Sequence, residues 1–378
     1  MLQSLEIRNY RNLRHLTIEK LGRVNLLVGK NNTGKTSVLE AVGIYVNKGN
    51  LPYLIQLLDE RGENYIRRNP NLTEDDVLKT LSALFTDRRA GYSPTEQIVI
   101  RDEKLTDEFS LAIDTGIRLR LTRYIETPEP VSGSQLLRTN RIPVDADYTE
   151  LGNHLGVELI ADSTLRIIPL SFFERNLSSR FFSNDGIIVK NQFVRTKNID
   201  REINGILWDA IALTDKENVV IDALRIVDIG VERVTFVNRN DRSDERLPVI
   251  RLKKDSEIIP LRSMGDGINR ILTIILAMVN CENGYLLIDE FENGLHYSVQ
   301  EKLWEIIFDL AEQLNIQVFA TTHSFDCIEA FSAVLSNGKQ DKDTGAMIRL
   351  ENYEGNIEAT VYDADEIQAT TRVQVDPR

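Results

Sequence analysis

Cysteine and histidine are scarce in this chain, and basic residues are outnumbered by acidic ones. Only Cys281 and Cys327 occur in 378 residues. Two cysteines cannot build a disulfide framework, so free thiols in a reducing compartment are expected. Lys and Arg total 45 against 58 Asp and Glu, a net charge of −13. Overall electrostatics of that sign exclude a chain held to nucleic acid by bulk charge, and any such contact needs a local basic patch. Long apolar runs are missing too. The most apolar stretch, Ile271 to Val279, is about nine residues, against the roughly 20 that span a bilayer. Residues Met1 to Arg8 carry no signal-peptide pattern. Internal repeats and low-complexity tracts are likewise absent, which excludes solenoids and linkers. The expectation is a cytoplasmic protein with no membrane segment. Its 42% hydrophobic and 27% charged residues suit two or three structural units around a sizeable core.

Periodicity sketches the organisation. Leu5 and Ile7, then Leu16 and Ile18, alternate with polar residues as half-buried strands do, and Val24-Asn25-Leu26-Leu27-Val28 reads as a buried strand. Residues 47–90 show helical spacing, 96–125 alternate, and 127–150, with three prolines, predict a surface loop. Leu165 to Leu170 is a buried-strand candidate, 198–226 is helical, and 231–261 holds strands around a polar turn. The last third predicts a helix over 266–280, a strand over 284–288, a helix over 298–314, a strand over 317–320 and a helix from Ser324. A hairpin of Met347–Leu350 with Glu358–Tyr362 follows. Alternating strands and helices thus sit at both ends, the pattern of an α/β protein.

One motif carries immediate chemistry. Gly29-x4-Gly34-Lys35-Thr36 follows a strand and opens a helix, the context a phosphate loop requires. Glycines let backbone N–H groups turn inward around a phosphate, and the helix N-terminus adds partial positive charge. Lys35 would reach the β and γ phosphates of a nucleotide, and the Thr36 hydroxyl would ligate Mg²⁺. Far downstream, Leu286-Leu287-Ile288 ends in Asp289-Glu290. Asp289 would stand beside the phosphate loop as a second Mg²⁺ contact, and Glu290 would take the proton of the attacking water. One strand later, Thr321-Thr322-His323-Ser324 places His323 where it could sense the γ-phosphate.

In this order the segments resemble the ABC-type ATPases of the RecF, SMC and OLD branch, in particular small AAA-like ATP-binding proteins of bacteria. Ile7-Arg8-Asn9-Tyr10-Arg11-Asn12-Leu13 looks like that branch's opening strand with its arginine. Ser263-Met264-Gly265-Asp266-Gly267 looks like its signature motif, though it differs from the LSGGQ of transporters. Asp289-Glu290-Phe291-Glu292-Asn293-Gly294-Leu295-His296 is similar to its Walker B and D-loop, above all in the OLD form, and His323 to its switch histidine. Asp289 comes 254 residues after Lys35, whereas classical AAA+ proteins put the acidic strand much nearer. The resemblance implies an ABC-type ATPase head, a P-loop NTPase with a helical insert and an antiparallel β subdomain. The expected divisions are 1–46, 47–95 (the insert), 96–190 (β-rich), 191–230 (helical) and 231–378.

The resemblance also implies a site. Arg11, Gly29, Asn31, Asn32, Thr33, Gly34, Lys35, Thr36 and Ser37 would contact ATP. Ser263, Gly265 and Gly267 would contact the ATP of a second chain. Thr36 and Asp289 would hold Mg²⁺, and Glu290 and His323 would be catalytic. The family's Q-loop glutamine has no clear counterpart, since Gln192 lies far from a convincing strand end. The expected function is an ATP-binding and hydrolysing subunit that forms a homodimer around ATP. It would act in DNA transactions or anti-phage defence, and the alternative is an ATP-gated scaffold with little or no hydrolysis. OLD nucleases carry a Toprim domain after the switch histidine. Here 55 residues follow His323, and Asp363, Asp365 and Glu366 read as a solvated end rather than a metal site. If a nuclease is involved, Toprim-like or HNH, it is therefore expected on a separate chain. The basic candidates for DNA contact are Arg67-Arg68, Arg88-Arg89, Arg175 with Arg180, and Arg251 with Lys253-Lys254.

Overall fold

The computed structural model describes residues 1–66, 73–103, 116–130, 137–144, 154–175, 189–196, 201–225, 230–238, 246–253, 258–337 and 344–372. Alternation of apolar and polar residues produces an antiparallel sheet of seven strands. These are β1 (Leu5–Tyr10), β2 (Leu13–Ile18), β4 (Ile98–Arg101), β5 (Ile117–Pro130), β6 (Leu137–Val144), β7 (His154–Ala161) and β8 (Thr164–Pro169). They run in the order β2-β1-β4-β5-β7-β8, with β6 on β5. A second sheet of six contains β3 (Val24–Val28), β9 (Asn191–Val194), β13 (Tyr285–Ile288), β14 (Gln317–Thr322), β15 (Gly345–Tyr353) and β16 (Asn356–Tyr362). Its order is β16-β15-β3-β14-β13-β9, and all neighbours are parallel except the β15–β16 hairpin. Three further strands, β10 (Val231–Asn238), β11 (Arg246–Leu252) and β12 (Ile258–Pro260), form a small antiparallel sheet.

Among the described residues, ten helices cover these sheets: α1 (Lys35–Val46), α2 (Leu51–Glu60), α3 (Glu74–Ser82), α4 (Leu170–Arg175), α5 (Arg201–Asp209), α6 (Asp215–Leu224), α7 (Asp266–Val279), α8 (Tyr297–Gln313), α9 (Phe325–Ser336) and α10 (Ala364–Arg372). The parallel strands are buried on both faces, which is why their sequences are nearly continuous apolar runs. Within them the period of two still sorts side chains. Leu26, Leu286, Ile288, Val318 and Ala320 pack with residues of α7, α8 and α9. Leu27, Leu287 and Phe319 face the opposite way, into a core shared with α1 and the antiparallel sheet. Helix α1 is therefore clamped between two sheets, and its N-terminus is rigidly aimed.

Asn25 is the polar exception inside β3. Its buried amide accepts from the Gly22 N–H at 2.8 Å and donates to the carbonyls of Gly22 and Val318 at 2.9 and 3.1 Å. Full satisfaction removes the desolvation cost of a buried amide and stitches β3 to β14.

Two expectations change, and a third gains a structural setting. The segment 127–150 is not a loop throughout, because β5 continues to Pro130 and pairs with β6 from Arg123↔Val144 to Pro130↔Leu137; residues 145–150 lie outside the described residues. Among the described residues, no other strand pairs with β5 beyond Tyr124. The hairpin there is a two-stranded ribbon with two open edges, where proline's missing N–H is tolerated. Next, β8 is an edge strand with Leu165 about half exposed, so its apolar residues mark the rim of a sheet. Finally, the acidic tail opens α10. Asp363 and Glu366 exchange hydrogen bonds with each other's backbone N–H at 2.9 Å, while Ile367 is fully buried. The acids are exposed, and no group of three metal-ligating residues is found among the described residues.

Of the basic candidates for DNA contact, Arg67, Arg68, Arg180, Lys254 and the side chain of Arg175 lie outside the described residues.

One aromatic cluster supports the acidic strand end. Phe291 stacks on Trp304 of α8 with centroids 4.0 Å apart, and Phe331 of α9 meets the indole edge-on at 5.0 Å. All three are fully buried. Trp304→Ala is expected to cost about 3–5 kcal/mol of stability, read by urea unfolding, with Trp304→Phe losing clearly less.

Candidate functional site

The parallel register brings three strand ends together. β14 lies between β3 and β13, so the phosphate loop, the Thr321–His323 turn and Asp289-Glu290 emerge at one edge of the sheet. The loop after β3 depends on two glycines. At Gly29 the backbone has φ +148, and a Cβ would lie 2.5 Å from the Leu350 carbonyl oxygen. Gly34 has φ +86, and a Cβ there would meet Leu13 at 2.8 Å. Both positions thus combine left-handed backbone with close neighbours, which only glycine accepts. Asn32 shares the left-handed conformation, one of the residue types that tolerates it.

Side chains complete the loop. The Thr33 hydroxyl donates to the Lys30 carbonyl at 2.8 Å, and the Ser37 hydroxyl donates to Asn12 at 2.8 Å. Lys35 bends back so that Nζ donates to the carbonyls of Gly29 and Lys30 at 2.7 and 2.8 Å. Burial pulls its pKa below the ordinary lysine value, and the carboxylates of Asp289, Glu292 and Glu290 pull the other way. A half-buried ammonium whose hydrogen bonds go to backbone carbonyls is well suited to an incoming polyanion.

Asp289 is the meeting point of the site. Thr36 donates to its two oxygens at 3.2 and 3.3 Å, and Thr321 donates to Oδ1 at 2.7 Å. The Thr321 hydroxyl in turn accepts from the Glu290 N–H at 2.8 Å, and the Phe291 N–H donates to the Thr321 carbonyl at 2.9 Å. A hydroxyl and a carboxylate side by side are hard oxygen donors. They fit Mg²⁺, which takes one or two protein ligands and completes its shell with phosphate and water. Glu290 has φ +48, an uncommon conformation that turns its side chain out of the strand direction.

A cleft of about 1050 Å³ has room for a nucleotide. Arg11, Asn31, Asn32, Thr33, Gly34, Lys35, Thr36, Ser37, Asp289, Glu290 and His323 all line it. Gly29 contributes its carbonyl to Lys35. Ser263, Gly265 and Gly267 do not line it. They sit where a 3-10 turn (Leu261–Met264) runs into α7. Ser263 and Gly265 are exposed there. Gly265 has open space around it, and Gly267 rests against the Gly294 carbonyl, where a Cβ would approach to 2.8 Å. Gln192 lies inside β9, opposite Leu286.

Residues that the sequence reading did not single out hold the site in place. Arg270 of α7 is only 4% exposed. Its guanidinium donates to the carbonyls of Asp289, Glu290 and Arg195 at 2.7, 3.0 and 2.8 Å. Burial draws its pKa down against the pull of the same three carboxylates that face Lys35. On the far side of the cleft, Glu40 of α1 is fully buried. It pairs with Arg11 and Arg61, each at 2.8 Å, and accepts from the Tyr10 hydroxyl at 3.0 Å. Arg11 also reaches Glu63 at 2.7 Å, while its Nη2 is buried without a partner. Burial lowers the Arg11 pKa, but Tyr10, Glu40 and Glu63 more than offset it and the net shift is upward. An arginine inside a helical turn and a glutamate on an otherwise apolar helix give no motif to read, so no sequence signal marked either.

The likenesses to known proteins agree with this geometry. A family model described as "AAA ATPase domain" matches residues 1–141 and 192–328. The chain is 24% identical over 351 residues to an ATP/GTP phosphatase of Helicobacter pylori, covering 89% of this chain and 88% of that protein. It is 21% identical over 380 residues to the DNA replication and repair protein RecF of Rickettsia canadensis, covering 88% and 97%. In fold it is similar to an SMC head solved with the C-winged helix domain of ScpA. The TM-score is 0.51 at 11% identity, over 96% of this chain and 98% of that one. The chain therefore belongs to the AAA ATPase domain family, and is an ATPase with a mixed α/β head of the RecF and SMC kind that carries an antiparallel β subdomain.

Proposed function

We propose that this ATPase binds Mg²⁺-ATP in the cleft and hydrolyses it as one half of a homodimer. The observation that carries the reading is the convergence of Lys35, Thr36, Asp289, Glu290 and His323 on one cleft. Lys35 and the N–H groups at the start of α1 hold the phosphates. Mg²⁺, held by Thr36 and Asp289, would neutralise charge on the β- and γ-phosphate oxygens. Glu290 receives the proton as water attacks the γ-phosphorus. The bond from that phosphorus to the β–γ bridging oxygen then breaks, releasing phosphate and ADP. Arg11, with its unpartnered Nη2 at the cleft, is positioned to add a donor to the nucleotide.

The exposed position of Ser263 and Gly265, outside their own chain's cleft, supports a site completed by a second copy. In that arrangement the N-terminus of α7 faces the partner's nucleotide, where its dipole favours negative charge. ATP acts as glue, and hydrolysis loosens the pair. The RecF relatives are named for DNA replication and repair, which favours DNA transactions as the process served; anti-phage defence with a separate nuclease is the companion proposal. Two basic candidates for DNA contact are already neutralised, Arg88 by Glu63 and Arg251 by Glu232. The scaffold alternative needs no general base, and the turn that holds Glu290 at the cleft favours hydrolysis instead.

Lys35→Ala is expected to weaken ATP binding by at least about 100-fold, through loss of a charge-assisted contact, as read by calorimetry. Glu290→Gln should keep ATP bound and lower kcat roughly 10²- to 10⁴-fold; turnover within a factor of about two would remove Glu290 from the base role. Ser263→Arg should leave monomer ATP binding intact and abolish hydrolysis. Mixing Lys35→Ala chains with Ser263→Arg chains should restore partial activity, because one composite site in each mixed pair carries neither defect. Mixed dimers that form but stay inactive would sink the shared-site model.

A further inference from the structure

A third carboxylate at the site has a role that the reaction above does not use. Glu292 lies two residues beyond Glu290, and its oxygen Oε1 faces two nitrogens of one residue. The His323 N–H donates to it at 2.9 Å, and the ring nitrogen Nδ1 stands 3.1 Å away. The Glu292 side chain is 12% exposed, while that of His323 is 54% exposed. The carboxylate is therefore the anchored member of the pair and the imidazole the anchored group's cargo. Its second oxygen, Oε2, is buried and has no hydrogen-bond partner among the described residues, so the carboxylate is turned toward His323 alone.

We propose that Glu292 is a positioning residue that commits the proton of His323 to Nδ1 and leaves Nε2 as the ring nitrogen that meets the terminal phosphate. A carboxylate can only accept, so the nitrogen facing it must carry hydrogen. In a neutral ring that settles the tautomer; in a protonated ring both nitrogens donate, and Nε2–H can then bond a phosphate oxygen. The same logic orients histidines in metal sites and in hydrolase triads, where the outer carboxylate fixes the ring and does not itself touch the substrate. Glu292 also bonds the His323 backbone, so ring and chain are fixed by one group. The Phe291–Trp304 stack, next to Glu292 in the chain, holds that group in place. The catalytic contribution of this pair rests on the role given above to His323, whereas the tautomer does not.

The test joins kinetics to a direct reading of the ring. Glu292→Ala, and Glu292→Met, which fills the same space without an acceptor, are expected to lower kcat for ATP about 10- to 100-fold with ATP affinity nearly unchanged. Glu292→Gln keeps a carbonyl for Nδ1–H and should recover much of that loss. In a His323→Ala background the Glu292 variants should add nothing further, since a residue acting through His323 then has no route to the substrate. Long-range nitrogen–proton NMR of the His323 ring in the nucleotide-free protein should show hydrogen on Nδ1 in the unmodified chain and in Glu292→Gln, and a shift toward Nε2 in Glu292→Met. An unchanged ring in Glu292→Met, or a fully additive loss in the double variant, overturns the proposal. Normal hydrolysis by His323→Ala would instead remove the catalytic role of His323, and the ring tautomer alone would then decide whether Glu292 sets it.

Discussion

The carboxylate of Asp289 ties together three segments that are remote in the chain. Thr36 comes from the phosphate loop, Thr321 from the end of β14, and Asp289 itself from the end of β13. Each hydroxyl donates to the carboxylate, so the hydrogen bonds are charge-assisted and stronger than neutral ones. The web has a consequence for the neighbouring residue as well. Because Thr321 also accepts from the Glu290 N–H, the backbone that carries Glu290 is set by the same hydroxyl that orients Asp289. The placement of the Asp289 carboxylate and of the Glu290 backbone is therefore coupled through one threonine.

Two buried arginines connect this centre to the rest of the molecule, and they do so differently. Arg270 spends its charge on backbone carbonyls of Asp289, Glu290 and Arg195, so it acts as a strut between α7 and the acidic strand end. The start of α7 is also where Ser263 and Gly265 are exposed. A displacement at that exposed end has a short, rigid path to the Glu290 backbone. Arg11 belongs to an ion network with Glu40, Glu63 and Tyr10, which fastens the β1–β2 turn to α1 and to the segment after α2. Buried networks of this kind add more to the fixity of a geometry than to net stability, because desolvation offsets much of the attraction.

Much was legible in the sequence because the relevant signals are local. The phosphate loop needs glycine at Gly29 and Gly34 for backbone reasons that hold in any fold, and the apolar run before it names its own strand. The ends of β13 and β14 could be read the same way, from hydrophobic runs closing on Asp289-Glu290 and on Thr321-Thr322-His323. Local signals also misled where composition and context disagree. Three prolines suggested a loop at 127–150, yet the β5–β6 ribbon accepts them because its edges are open.

By itself, then, the sequence determined the phosphate loop, the acidic strand end, the place of His323 at the end of its strand and the α/β class, since each is written within a few consecutive residues. Tertiary structure alone decided how they meet: that β14 lies between β3 and β13, that Arg270 braces Glu290 from another helix, and that His323 pairs with Glu292 rather than Glu290. It also decided that Ser263 and Gly265 stand outside their own cleft. The physical reason is that hydrogen bonds and ion pairs between distant segments depend on strand order and helix placement, and neither leaves a periodic trace along the chain.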